Sequence, residues 1–348
     1  MQVNARAAGL ASPLVSWLSG LAAEARFRRR WLGRAPVILP PRDRAWRALA
    51  PPFPEWLDLA RSGLPFQIAA DRRYDRSGDP RRLRPALARG ETVFFPQIHQ
   101  VLPRVARLMA ALRATFLGAG REECSFLFMA EGRGREGLGL HHDGAVDAFW
   151  LQLEGRRALT IGPPVPRGVP EDLPDAYARR RPSGWRELEL GPGTLFYLPP
   201  RTPHRVVYHE RSLALSLTWK VARRRAMAVD ARPAGLAEWD VTSGRADRIP
   251  PRRRDRLWTQ VPAIPGAVTR KTRQFPLRLP GGVTVLLPAR AYPLAAHLAA
   301  MPSWRLPLGR ARRAGLAALI ERGVVAPRDL PLRIIPEAPR DLDGWRFG

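Results

Sequence analysis

Apolar and polar residues alternate most clearly in the middle third of the chain. Ala148 to Ile161 reads as a strand, a tight turn at Gly155 and a second strand. Gly191 to Pro200 reads as a turn followed by a short apolar strand, and from Ser212 to Trp219 the residues Ser212, Ser216 and Thr218 interleave with leucines. Side chains of a strand alternate between faces, so such interleaving predicts one apolar face and one more polar face. Upstream, Ser125 to Ala130 reads as a strand, apolar from Phe126 on, and Leu102 to Leu112 carries helical periodicity. Ser12-Pro13 followed by Leu14, Trp17, Leu18 and Leu21 reads as a capped amphipathic helix rather than a secretory leader. Past Val221 the chain turns rich in Arg, Pro and Ala and is expected to be helical, with Trp239 and Trp258 as buried anchors. From Phe275 onward, Gly281 to Pro288 reads as a turn and strand, and Arg310 to Arg322 as a helix stopped by Gly323. Val324-Val325 then opens another short strand.

Length and charge bound what this pattern can build. A chain of 348 residues can bury one large core and a smaller one. The reading divides it into residues 1–119, mixed elements bracing a barrel, 120–220, the barrel, 221–274, a helical linker, and 275–348, a small tail domain. Basic residues number 58 against 31 acidic, a formal charge of +27. Such an excess ordinarily points to nucleic acid or another polyanion. Only Lys220 and Lys271 are lysines, however, and the arginines are scattered in short clusters such as Arg28–Arg30 and Arg252–Arg254. That looks like a bias of composition, so nucleic-acid contact is not favoured. Cys124 is the single cysteine, which excludes an internal disulfide and a cysteine zinc site and fits a cytoplasmic protein. No apolar run approaches the ~20 residues a membrane helix requires.

Candidate chemistry gathers at His141-His142-Asp143 and at His204, which follows the run Phe196 to Pro203. Two imidazoles and one carboxylate can occupy one face of an iron ion and leave the other face open. The i, i+2 spacing lets His141 and Asp143 share a metal while His142 points away. An HxD triplet alone arises by chance; the strands around this one give it weight. Short strands with Gly/Pro turns on both sides of a metal triad predict a mainly β fold with helical additions, built on a double-stranded β-helix of the jelly-roll or cupin kind.

Four segments, in order, resemble the JmjC-type hydroxylases of the cupin superfamily, especially the bacterial ribosomal-protein hydroxylase branch. They are Phe27 to Leu39, Gly90 to His99 with the helix after it, His141 to Gly155, and Gly191 to Trp219. The resemblance implies Fe(II) held by His141, Asp143 and His204, with 2-oxoglutarate as co-substrate. It places Arg157 where the family puts the cation for the distal carboxylate, a task suited to a guanidinium. Period 2 buries one of Arg156 and Arg157 but not both. The family's inward Tyr and Thr hydroxyls align with Leu127 and Met129, neither of which donates a hydrogen bond. Tyr197, Ser212 and Ser216 are the expected substitutes, and Asp147 aligns near the substrate mouth. The resemblance further implies a protein or peptide substrate, ribosomal in the nearest branch, a dimerisation segment after Val221, and a winged-helix-like tail that contacts protein rather than DNA. The competing reading is a catalytically altered cupin that acts as a metal-binding or interaction module.

Overall fold

The computed structural model describes residues 21–221 and 256–327, apart from gaps at 42–43, 63, 65, 71, 76–77, 101, 113–115, 118–120, 133–137, 181–182, 260–262, 279–283, 300, 302, 306–307 and 322–323. The expected helix start at Ser12-Pro13 and the anchor Trp239 lie outside the described residues. Helix α1 is Leu21–Arg30 and is followed by β1, Val37–Leu39. Then come α2 (Phe53–Arg61), the hairpin β2 (Gln67–Ala70) and β3 (Arg73–Asp75), α3 (Pro80–Ala88), β4 (Thr92–Pro96) and α4 (Pro103–Leu112). The long central strands are β5 (Arg121–Ala130) and β6 (Val146–Glu154), with β7 (Arg157–Ile161) beyond the Gly155 turn. A short α5 (Ala176–Arg180) precedes β8 (Arg186–Leu190), β9 (Leu195–Leu198), β10 (His204–Val207) and β11 (Ser212–Val221).

These strands form two sheets. The large one runs β1-β9-β6-β11-β5-β4-β2-β3, and the small one runs β10-β7-β8, with His141 bridged to His204 at its edge. Antiparallel sheets joined by short turns and closed over an apolar lumen are the expected jelly-roll. The large sheet recruits β1 to β4 from the N-terminal region, so the described residues of that region share the barrel's sheet and core.

Period 2 sorts the large sheet into two faces. Phe149, Leu151, Leu195, Tyr197, Leu213, Leu215, Leu217, Leu127 and Met129 face outward into a core shared with α1 to α4. Phe27 of α1 is fully buried there, its ring 5.1 Å from Tyr197 and 5.9 Å from Phe149. The opposite, lumen face carries Ala148, Trp150, Phe196 and Leu198, which meet Leu159, Ile161 and Leu190 of the small sheet. At the Gly155 turn the backbone sits at φ +62° and a Cβ would fall 1.8 Å from the Arg211 carbonyl oxygen, so only glycine fits.

After β11 the next described element is strand. Here β12 (Arg256–Thr259) and β13 (Ile264–Pro265) occupy part of the stretch expected to be helical, while residues 222–255 lie outside the described set. The tail holds β14 (Gln274–Arg278), β15 (Thr284–Pro288), α6 (Tyr292–Leu298), β16 (Ser303–Arg305), α7 (Arg310–Glu321) and β17 (Val325–Pro327). Its sheets are β16-β12-β17 and β13-β14-β15, and its core of Phe275, Leu277, Leu294 and Leu319 is separate from the barrel's. No helix among the described residues is long and apolar enough to cross a membrane.

Candidate metal centre

His141 and His204 are brought together by backbone pairing. His141 N–H donates to the His204 carbonyl at 3.0 Å and His204 N–H to the His141 carbonyl at 2.8 Å. Residues that exchange both bonds across an antiparallel bridge point to the same side. Their rings accordingly lie 4.2 Å apart, nearly perpendicular. Asp143 Oδ1 comes to 3.6 Å from His141 Nε2, and one ligand atom from each of the three residues falls within 4.8 Å of the others.

The outer ring nitrogens prepare both imidazoles for a metal. His141 Nδ1 lies 3.0 Å from the Gly139 carbonyl and His204 Nδ1 3.0 Å from the Thr202 carbonyl. A carbonyl only accepts, so each Nδ1 carries the proton and each Nε2 keeps its lone pair toward the centre. Full burial of His204, beside His141, pushes its pKa down to about 4, which keeps the ring neutral and able to ligate. This donor set of two neutral imidazoles and a carboxylate is the facial kind that suits iron.

His142 points the other way, as the spacing requires, but it is buried rather than solvent-facing. Its Nε2 lies 3.2 Å from the Val169 carbonyl, and its Nδ1 accepts from Gly144 N–H at 3.1 Å. It ties the metal loop to the segment before α5.

Arg157 enters the lumen, and Arg156 stays outside between Glu189 and Glu210. Only 3% of Arg157 is exposed, and its Nε and Nη2 have no hydrogen-bond partner. Burial lowers its pKa, and the hydrogen-bonded Tyr208 hydroxyl partly offsets that; no acidic side chain contributes. A buried guanidinium with no counter-charge is costly and calls for an anion. The residues therefore fit both halves of a metal and keto-diacid pair.

The lumen contains residues the sequence reading missed. Trp150 stands with its ring 4.9 Å from that of His204 and 5.0 Å from the Arg157 guanidinium carbon. Tyr208 was readable, because His204, Val206 and Tyr208 share a face by period 2. Trp150 gave no such signal, since a Trp in an apolar run reads as core.

Two expected site residues face elsewhere. Tyr197 and Asp147 lie on the outer face, where the Tyr197 hydroxyl donates to Asp147 Oδ1 at 2.6 Å and accepts from Gly33 N–H at 2.7 Å. Tyr197 is thus no lumen hydroxyl and Asp147 no mouth residue; together they fasten the chain after α1 to the sheet. Ser212 keeps to the lumen side, but its hydroxyl accepts from Gln152 Nε2 at 2.9 Å near the Gly155 turn. Ser216, 6% exposed, lies between Trp150 and Phe126 in register. On β5 the phase is one residue from the expected one: Phe126 and Phe128 face the lumen, and Leu127 and Met129 the outer core.

No curated protein matches the chain in sequence. Among solved structures, YcfD, a ribosomal oxygenase from Escherichia coli, aligns over 89% of this chain and 98% of its own at 16% identity, with a TM-score of 0.45. The same protein in complex with cobalt and 2-oxoglutarate aligns with a TM-score of 0.43 at 16% identity, over 89% of this chain and 99% of that one. A cupin superfamily protein from Desulfitobacterium hafniense covers 28% of this chain and 68% of its own at 15% identity, with a TM-score of 0.21. Likenesses of this grade carry no weight on function. The family match is independent of them: residues 99–227, which hold all three candidate ligand residues and Arg157, match the family model described as the JmjC domain.

Proposed function

We propose that the chain is an Fe(II)- and 2-oxoglutarate-dependent oxygenase that hydroxylates a protein or peptide side chain, releasing succinate and CO2. One observation carries the reading: a facial His141–Asp143–His204 triad shares its lumen with a buried guanidinium that no acidic side chain balances. Iron bound at the triad supplies the coupling of O2 reduction to oxidative decarboxylation of the keto acid. The chain's own residues bind and orient. His141, Asp143 and His204 hold the metal by one face, and Arg157 anchors the distal carboxylate of 2-oxoglutarate. The apolar lumen of Ala148, Phe196, Leu198 and Ile161 keeps water from the reacting groups.

The substrate class is taken from the resemblance of the four sequence segments to the ribosomal branch. Ribosomal-protein peptides are the first substrates to try. The absence of lumen hydroxyls at Phe126 and Phe128 favours the second reading, a cupin that binds metal without turnover. Succinate release from 2-oxoglutarate with Fe(II), without a prime substrate, separates them. Slow release that falls to background in His141→Ala, Asp143→Ala and His204→Ala, each with a wild-type circular dichroism spectrum, supports the oxygenase. No release from the wild type, with or without peptide, would leave the metal-binding module.

A further inference from the structure

The lumen holds more unsatisfied donors than the guanidinium accounts for. Trp150 is 5% exposed and its indole Nε1 has no hydrogen-bond partner, in direct contact with Arg157, whose Nε and Nη2 also lack partners. Each buried unsatisfied donor costs about 1–3 kcal/mol. Two contacting side chains of the lumen thus carry three unpartnered nitrogens, and an ionised carboxylate offers about four lone-pair sites on two oxygens. The strand that should bring hydroxyls to the lumen brings the rings of Phe126 and Phe128, and the Ser212 hydroxyl is engaged by Gln152.

We infer that Trp150 is the second anchor of the co-substrate, its indole N–H donating to the same distal carboxylate that Arg157 pairs with. This rests on the oxygenase reading above. The indole does two further things by position. Its face supports the guanidinium, and its edge meets the ring of His204, so one side chain fixes both ends of the keto diacid relative to the metal. A lumen built this way selects keto acids with a second carboxylate.

Calorimetric titration of 2-oxoglutarate into the Mn(II)-loaded full-length protein tests it. Trp150→Phe keeps an aromatic ring and removes only the donor. It should weaken 2-oxoglutarate binding about tenfold, the size expected of one hydrogen bond to a charged group. Mn(II) affinity should be unchanged. Binding of 2-oxopentanoate, which has the same chelating end and no distal carboxylate, should be equal in wild type and variant. Equal 2-oxoglutarate affinity in the two proteins would overturn the assignment, as would an equal loss for both keto acids, which would mark a packing role. If Trp150→Phe fails to fold, the indole N–H resonances of 15N-labelled Zn(II)-loaded wild type serve instead. One of them must move on adding 2-oxoglutarate and stay in place with 2-oxopentanoate, and no such movement would overturn the inference. A wild type that binds no 2-oxoglutarate at all would overturn the oxygenase reading itself, and this assignment with it.

Discussion

On the outer face of the large sheet, Asp147 of β6 meets the Tyr197 hydroxyl, which also takes the backbone N–H of Gly33. Ser125 of β5 accepts from His99 N–H and pairs with its ring nitrogen at 2.7 Å. On the lumen face, three residues along the same β6, Trp150 keeps an indole N–H with nothing to bond, and Arg157 across the barrel keeps two such nitrogens. Both faces are buried and aromatic. The outer face fastens segments of its own chain to one another, whereas the lumen leaves donors directed at something the chain does not contain. Buried polar groups in native proteins are nearly always satisfied, so donors left open beside a buried cation point to a group from outside the chain.

Arg157→Met should break that contrast most visibly. Losing the partner of a buried carboxylate costs a few kcal/mol, so 2-oxoglutarate binding should weaken roughly a hundredfold or more, with metal affinity unchanged. The metal-free variant should also be more stable than wild type, because an uncompensated buried charge is replaced by an apolar side chain of similar length. For a chain of this size its melting temperature should rise by about 2–4 °C per kcal/mol relieved. A lower melting temperature would mean that the Tyr208 hydrogen bond and the Trp150 contact outweigh the cost of burying the charge.

Tyr197→Phe is the converse test, on the outer face. It removes a donor from buried Asp147 and an acceptor from Gly33, a loss of about 1–3 kcal/mol in denaturant unfolding. Its 2-oxoglutarate affinity should stay within about twofold of wild type. A variant of full stability with weakened 2-oxoglutarate binding would return Tyr197 to the lumen.

A smaller effect separates the faces by pH. His99, fully buried on the outer face, has its pKa lowered from 6.5 to about 3 by desolvation. Its neutral form stabilises the fold fully above the unfolded value, and that contribution is lost as pH falls toward the folded one. Between those values the unfolded chain binds the extra proton, so metal-free stability should fall with acidification by up to about 1.4 kcal/mol per pH unit from this residue. His99→Gln should flatten the profile between pH 6 and 4 by that slope. An unaltered profile would mean His99 is reached by solvent in the native state.

These contrasts also show what the sequence could reveal. The triad was legible because the i, i+2 rule needs no knowledge of neighbouring strands, and the same rule correctly separated Arg156 from Arg157. Tyr197 was expected as a substitute for the family's inward hydroxyls and Asp147 by its place in the family alignment, and alternation within the strands could not check either placement. The outer side is buried under α1 to α4, so both faces are apolar and alternation loses its contrast. Phe126-Leu127-Phe128-Met129 shows the limit: four apolar residues in a row fix no phase, and only pairing with Ser216 and Ala214 of β11 settles it. The helical expectation past Val221 rested on composition alone, which says nothing about pairing, and the described part of that stretch pairs as strand.

One lumen is proposed to hold a facial iron site and a carboxylate anchor, with the ring of Trp150 in contact with both His204 and Arg157. Anaerobic titration of 2-oxoglutarate into the Fe(II)-loaded protein, followed by the visible charge-transfer band of a chelated 2-oxo acid, tests it most directly. The wild type should develop a saturable band at one equivalent per iron, absent in His204→Ala and displaced to far higher 2-oxoglutarate in Arg157→Met. A wild type that binds iron and never develops the band would contradict the account.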